Sequence, residues 1–123
     1  MATSNQFPSY AELCQQARGR IQVVEPEKFT PEASIMLIDV RDQVEVVDGV
    51  LEGAVVVPRG QLEKLIGQMN LPLDQEIVLY CESGNRSALA CETLGLMGYE
   101  NVSSLAGGID EWRRLLEELR QVV

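Results

Sequence analysis

This sequence contains no histidine and only three cysteines, Cys14, Cys81 and Cys91, none of them in a CxxC pair. The first absence removes Ser–His and Cys–His pairs, so a reactive nucleophile would need some activator other than an imidazole base. Together the two absences leave no material for a zinc site of the usual Cys/His kinds, and no metal is expected. Basic residues are scarce as well: 10 Lys and Arg against 19 Asp and Glu give a net charge of −9. Such a surface repels phosphate backbones, which argues against nucleic acid as a partner. Long apolar runs are missing. "SIMLI" and "AVVV" fall far short of the ~20 residues of a membrane span, so no membrane partner is expected either. The opening "MATSNQFPSY" has no basic region followed by an apolar stretch, so no secretory signal is read and a cytoplasmic address is expected.

What is present is the material of a globular fold. Of 123 residues, 46% are hydrophobic and 24% charged, enough for one domain with its own core and too apolar for a disordered chain. Strand and helix signals alternate along it. "SYAELCQQARGR" reads as a first helix, with Ser9 as N-cap and Tyr10, Leu13, Cys14 and Ala17 on one face. A short strand at residues 21–24 and a turn opened by Pro26 follow. Residues 34–40 and 53–58 are near-continuous apolar runs, as expected of strands covered on both faces. Helical spacing of Leu62, Leu65, Ile66 and Met69 precedes another buried strand at residues 76–80. A helix from Arg86 to Met97 would bury Leu89, Ala90, Thr93, Leu94 and Met97, and residues 101–105 form a last strand. Finally, "GIDEWRRLLEELRQ" carries Ile109, Trp112, Leu115, Leu116 and Leu119 on one stripe. Short buried strands alternating with helices predict an α/β fold, a mostly parallel sheet with helices on both faces. Ligands in such sheets sit beyond the carboxyl ends of the strands, the edge on which Cys81 falls.

The most informative stretch is "LYCESGNRSALA", residues 79–90. A buried strand arrives at Cys81, crosses Glu82, Ser83, Gly84 and Asn85, and leaves as a helix at Arg86 and Ser87. Gly84 admits backbone conformations closed to other residues, and Ser83 and Asn85 tolerate turns. Successive N–H groups of such a loop can converge on an anion at a helix N-terminus. A cysteine at the base of that cup would have its thiolate favoured. The cup would equally hold a persulfide, a thiosulfonate or a phosphate. Arg86 would stand at the lip as a fixed positive charge, or anchor the loop instead. A plain reading competes with this one, because a lone cysteine at a strand end is commonly a small buried hydrophobe.

"CESGNRSA" resembles the active-site loop of the rhodanese-like (sulfurtransferase) family. Three further segments are similar to that family in order and spacing: "LIDVRD" (37–42), "GVLEGAVVVPRGQLE" (49–63) and "MGYENVSSLAGGIDEW" (97–112). The resemblance implies a three-layer α/β/α domain with a five-stranded, mainly parallel sheet over residues 21–123, and residues 1–20 as a helical extension packed on it. It implies a Cys81 that takes a sulfane sulfur from thiosulfate or a protein persulfide and passes it, as a persulfide, to a thiol or cyanide. Residues 82–87 would bind the sulfur anion, and no cofactor is called for. The strand ending at Asp39 would lie beside the one ending at Cys81. Asp39 and Arg41 would then either brace the loop or form an ion pair with no contact to substrate.

The sequence departs from the family pattern at three places. Val50 stands where the family often has histidine, and Glu52 where it often has proline. Glu82 follows the cysteine where many members carry a basic residue, and an acid there opposes an anionic donor by about 1–2 kcal/mol. Arg59 would offset Glu82 from the pocket rim, or else be a solvated helix-start residue. Cys91 lies ten residues beyond Cys81. That is ~13–15 Å along a helix, against the ~7 Å between Cα atoms that a disulfide tolerates, so Cys91 is expected in the core, as are Cys14 and Trp112. Two rival functions share the cup. Cysteine phosphatases and arsenate reductases place five residues between cysteine and arginine, whereas four intervene here. A sulfur carrier or regulatory module would accept the persulfide without turnover.

Overall fold

The computed structural model describes residues 7–122; residues 1–6 of the expected N-terminal extension, and Val123, lie outside it. Nine regular elements run in the order α1 (Tyr10–Arg18), β1 (Gln22–Val24), β2 (Met36–Asp39), β3 (Val55–Val56), α2 (Leu62–Gln68), β4 (Ile77–Tyr80), α3 (Asn85–Leu96), β5 (Val102–Leu105) and α4 (Gly108–Val122), with short 3-10 turns between some of them. All five strands pair in parallel, in the order β1-β5-β4-β2-β3. β4 therefore lies at the centre, and Asp39 of β2 pairs with Tyr80 beside it.

Side chains alternate across this sheet because successive residues of a strand point to opposite faces. Ile38, Ile77, Leu79 and Cys81 face one core with Leu62 and Ile66 of α2 and Ala90, Cys91 and Leu94 of α3. Leu37, Val78, Tyr80 and Leu105 face the other, with Phe29 and with Ile109 and Trp112 of α4. The two cores explain why the central strands read as unbroken apolar runs. Phe29 and Trp112 meet edge to face, ring centroids 6.0 Å apart.

Four expectations change. Residues 53–58 do not form a covered strand: only Val55 and Val56 pair, both are exposed, and Val57 alone is buried. β3 is an edge strand, with β2 on one side and no strand on the other, so its apolar run has no second layer over it. In α3 the buried residues are Ser87, Ala88, Ala90, Cys91 and Leu94, while Met97 is exposed. α1 covers α3, which turns a helix predicted to be one-sided into one enclosed along its first turns. α1 itself buries Cys14 and Ala17 and leaves Tyr10 and Leu13 exposed. In α4 the apolar stripe outruns its partner, and Leu116 and Leu119 are exposed. Ser9 does cap α1, in a capping box with Glu12. No helix among the described residues is long and apolar enough to cross a membrane.

Candidate active site

Cys81 directly follows the central strand and faces the α2/α3 core, where it is 1% exposed. The chain then turns into α3 through Glu82 and Ser83, both exposed, and Gly84, buried. Gly84 adopts φ 101°, in the left-handed region that glycine enters without a Cβ penalty, and serves as the N-cap residue of α3. That turn aims backbone donors at the sulfur. The Gly84 N–H lies 3.1 Å from Cys81 Sγ and the Ser87 N–H 3.4 Å from it. The thiol in turn donates to Ser87 Oγ at 3.5 Å. Ser87 Oγ lies 2.8 Å from Ser104 Oγ of β5, and both serines are buried. Of the loop expected to converge on the sulfur, residues 82–87, two backbone N–H groups point at it, those of Gly84 and Ser87.

The other side of the loop is held by α4. Ile109 N–H donates to the Cys81 carbonyl at 2.9 Å and Asp110 N–H to the Glu82 carbonyl at 3.1 Å. These are N-terminal N–H groups of a helix, which have no partner within their own helix. So close an approach demands Gly108: a Cβ there would lie 2.5 Å from the Glu82 carbonyl oxygen, at a φ of +61°.

Arg86 anchors the loop. Its guanidinium meets Glu45 in a bidentate pair at 2.6 and 2.7 Å. The Arg86 hydrogen bonds, opposed by desolvation, hold the Glu45 carboxyl down at about 2. Reciprocally, the Glu45 hydrogen bond raises the Arg86 guanidinium above its ordinary value, and the nearby Cys81 charge adds to that rise. Arg86 is thus near the sulfur electrostatically, with its donors committed to Glu45. Asn85 is tied to α1, its Oδ1 accepting from Arg18 at 2.8 Å.

Asp39 and Arg41 form a fully buried pair, with Nε and NH2 of Arg41 on the Asp39 carboxylate at 2.9–3.1 Å. Burial acts against the Arg41 charge, and the Asp39 hydrogen bonds and charge outweigh it, so the guanidinium ends above its ordinary value. The remaining Arg41 donors go to the carbonyls of Glu45 and Gly49 and to Asp48. Arg41 therefore braces the 45–49 turn, and reaches the Cys81 loop only through Glu45. Arg59 donates to Glu63 and to Thr93 Oγ1 on α3, and makes no hydrogen bond or ion pair with Glu82. Cys91 is 2% exposed, and burial, with the Cys81 charge, pushes its thiol well up. Cys14 is buried and, like the other two, unpaired.

Three contributors escaped the sequence reading. Glu45 sits in "VEVVDG", where nothing periodic marks it. Gly108 belongs to a Gly-Gly pair that could have signalled a close backbone approach. Ser104 is one of two serines in the four-residue strand VSSL, and the buried one of such a pair asks for a hydrogen-bond partner.

Comparison with known proteins converges on one family. Residues 25–115 match the family described as Rhodanese-like domain. A protein of Allochromatium vinosum named Sulfurtransferase is 33% identical over 88 residues, covering 72% of this chain and 80% of that one. YrkF of Bacillus subtilis, provisionally named a sulfur carrier protein, is 30% identical over 86 residues, covering 70% of this chain and 45% of that one. A solved Rhodopseudomonas palustris protein of unknown function, provisionally considered a tyrosine phosphatase, superposes with TM-score 0.76 at 26% identity. That match covers 94% of this chain and 96% of the other, so it extends beyond residues 25–115.

Proposed function

This chain belongs to the rhodanese-like family, and from that premise we propose that it is a sulfurtransferase whose Cys81 carries a sulfane sulfur between a donor and a thiophilic acceptor. The observation that carries the reading is the convergence of the Gly84 and Ser87 N–H groups on Cys81 Sγ. Hydrogen bonds from backbone amides favour the thiolate, and no imidazole is required. The thiolate attacks the outer sulfur of thiosulfate; the S–S bond breaks and sulfite leaves with its electron pair. A thiolate or cyanide then attacks the outer sulfur of the Cys81 persulfide and regenerates the Cys81 thiolate, one transfer divided into two steps. Residues 82–87 line the bound sulfur, with Arg86 and Asn85 as anchors of the loop. Asp39 and Arg41 act at one remove, by fixing the turn that presents Glu45.

Thiosulfate is the donor the site accepts least readily. Glu82 is exposed beside the cysteine, and a protein persulfide with a basic surface avoids the repulsion that a small dianion meets there. The same residue keeps a second reading in view, a sulfur carrier without turnover, which the likeness to YrkF also favours. A phosphatase is disfavoured by the four-residue span from Cys81 to Arg86 and by an arginine whose donors face Glu45.

Intact mass after thiosulfate treatment, on wild type and Cys81→Ser, separates these readings. The enzyme gains the mass of one sulfur atom, about 32 Da, loses it to cyanide, and releases thiocyanate over many cycles; the Ser variant does none of this. A stable adduct without thiocyanate turnover indicates the carrier. No adduct from thiosulfate or from a cysteine desulfurase would sink both.

A further inference from the structure

Cys81 has no base beside it: the chain lacks histidine, and Arg86 is bound to Glu45. With the cysteine 1% exposed, the thiol proton has one protein acceptor among the described residues, Ser87 Oγ at 3.5 Å. Ser87 in turn is 2.8 Å from Ser104 Oγ. Ser104 is 3% exposed and lines a cavity of about 250 Å³ behind the loop, together with Arg18, Ser83, Gly84 and Asn85. The three groups thus make a chain from the sulfur, through α3 and β5, to a space of mixed lining large enough for several waters.

We propose that Ser87 and Ser104 are a two-hydroxyl relay through which Cys81 loses and regains its proton on the cavity side of the loop. A serine hydroxyl has one proton and two lone pairs, so each link can point either way. With Cys81 as a thiol, S–H donates to Ser87, and Ser87 donates to Ser104. On ionisation the sulfur proton passes to Ser87 Oγ, the Ser87 proton passes to Ser104 Oγ, and the Ser104 proton passes to water in the cavity. One proton leaves the sulfur end and one emerges at the water end, and no bond other than O–H and S–H changes. The product has every link reversed: Ser104 donates to Ser87, and Ser87 donates to the thiolate. That thiolate then receives three donors, the N–H groups of Gly84 and Ser87 and the Ser87 hydroxyl. Each donation polarises the next, so Ser104 strengthens the Ser87 bond to sulfur without touching it. Ser104 is a positioning residue by this account.

The proposal rests on Cys81 being the sulfur-bearing nucleophile, and its test needs no sulfur donor. Alkylation of Cys81 by iodoacetamide, followed at the Cys81 peptide near neutral pH, reports thiolate supply directly. Ser87→Ala is expected to slow it about tenfold and Ser104→Ala about threefold. Ser104→Thr, which keeps the hydroxyl, restores a rate close to wild type. Because Ser104 acts only through Ser87, Ser104→Ala added to Ser87→Ala causes no further loss. If Ser104→Ala does not fold, Ser104→Cys, of similar size and a weak donor, takes its place. An unchanged rate in the Ser104 variant overturns the relay, as does an equal loss in both backgrounds or failure of Thr to rescue. Should the relay pattern hold while no persulfide forms, the sulfurtransferase reading fails alone.

Discussion

At the scale of single residues, the site is governed by which partner satisfies each charge. Glu45 and Arg86 are 24% and 32% exposed in their side chains, so solvent screens the pair and keeps its contribution below that of a buried one. Replacing Glu45 with Gln is expected to cost about 1–2 kcal/mol, and to loosen the loop enough to slow sulfur loading of Cys81. The pair also predicts a pH dependence. Glu45 in the folded protein stays ionised down to about 2, against an ordinary value of 4.5. A carboxyl depressed by folding stabilises fully above its unfolded value and loses that contribution as pH falls through the folded one. The gap in melting temperature between wild type and Glu45→Gln should therefore be full above about pH 4.5 and close towards about pH 2. A gap that stays constant throughout that range would show that the pair does not act as described.

At the scale of elements, the loop is clamped between two helix N-termini and steadied from outside by a third helix. α3 supplies the donors to sulfur and α4 supplies donors to the Cys81 and Glu82 carbonyls. α1 lies outside residues 25–115, yet it packs on α3 through Cys14 and Ala17 and holds Asn85 through Arg18, and just beyond its end Arg20 pairs with Glu92. Ala17 is completely buried, so Ala17→Asp places an unpaired charge in that contact. The expected loss is about 3–4 kcal/mol in denaturant unfolding, with sulfur loading reduced even at temperatures where the sheet stays folded. Wild-type stability in this variant would mean that α1 is a passive appendage.

Over the whole molecule, the charge of −9 acts against any anionic donor, and Glu82 concentrates that field where the donor must arrive. Added salt screens it over the Debye length of about 10 Å at 0.1 M. For thiosulfate, kcat/KM is expected to rise with ionic strength, and Glu82→Lys should raise it at low salt while flattening the salt dependence. A basic protein persulfide should respond in the opposite sense, because salt weakens an attraction. If thiosulfate transfer in the wild type falls with salt, the overall field does not control donor approach. The largest cavity among those described, about 840 Å³, lies on another part of the surface, lined by Ile21, Cys91 and Tyr99. Size alone therefore does not locate this chemistry.

Alternating elements, a buried strand leading into Cys81 and the short span from Cys81 to Arg86 were legible in the sequence. These follow from local rules: hydrophobic periodicity, glycine at a strand-to-helix turn, and counting along one loop. Tertiary structure decided what depends on distant segments meeting. Glu45 takes Arg86 across 41 positions, Ser104 meets Ser87 across 17, and Arg18 meets Asn85 across 67. No periodicity encodes such pairs, because each exists only after the fold has brought separate segments together at one end of the sheet. Arg59, whose position near a strand end suggested a place at the rim, turned to Glu63 one helical turn on and to Thr93 across 34 positions. The exposed run at Val55 and Val56 shows the same limit, since only the strand order makes that strand an edge.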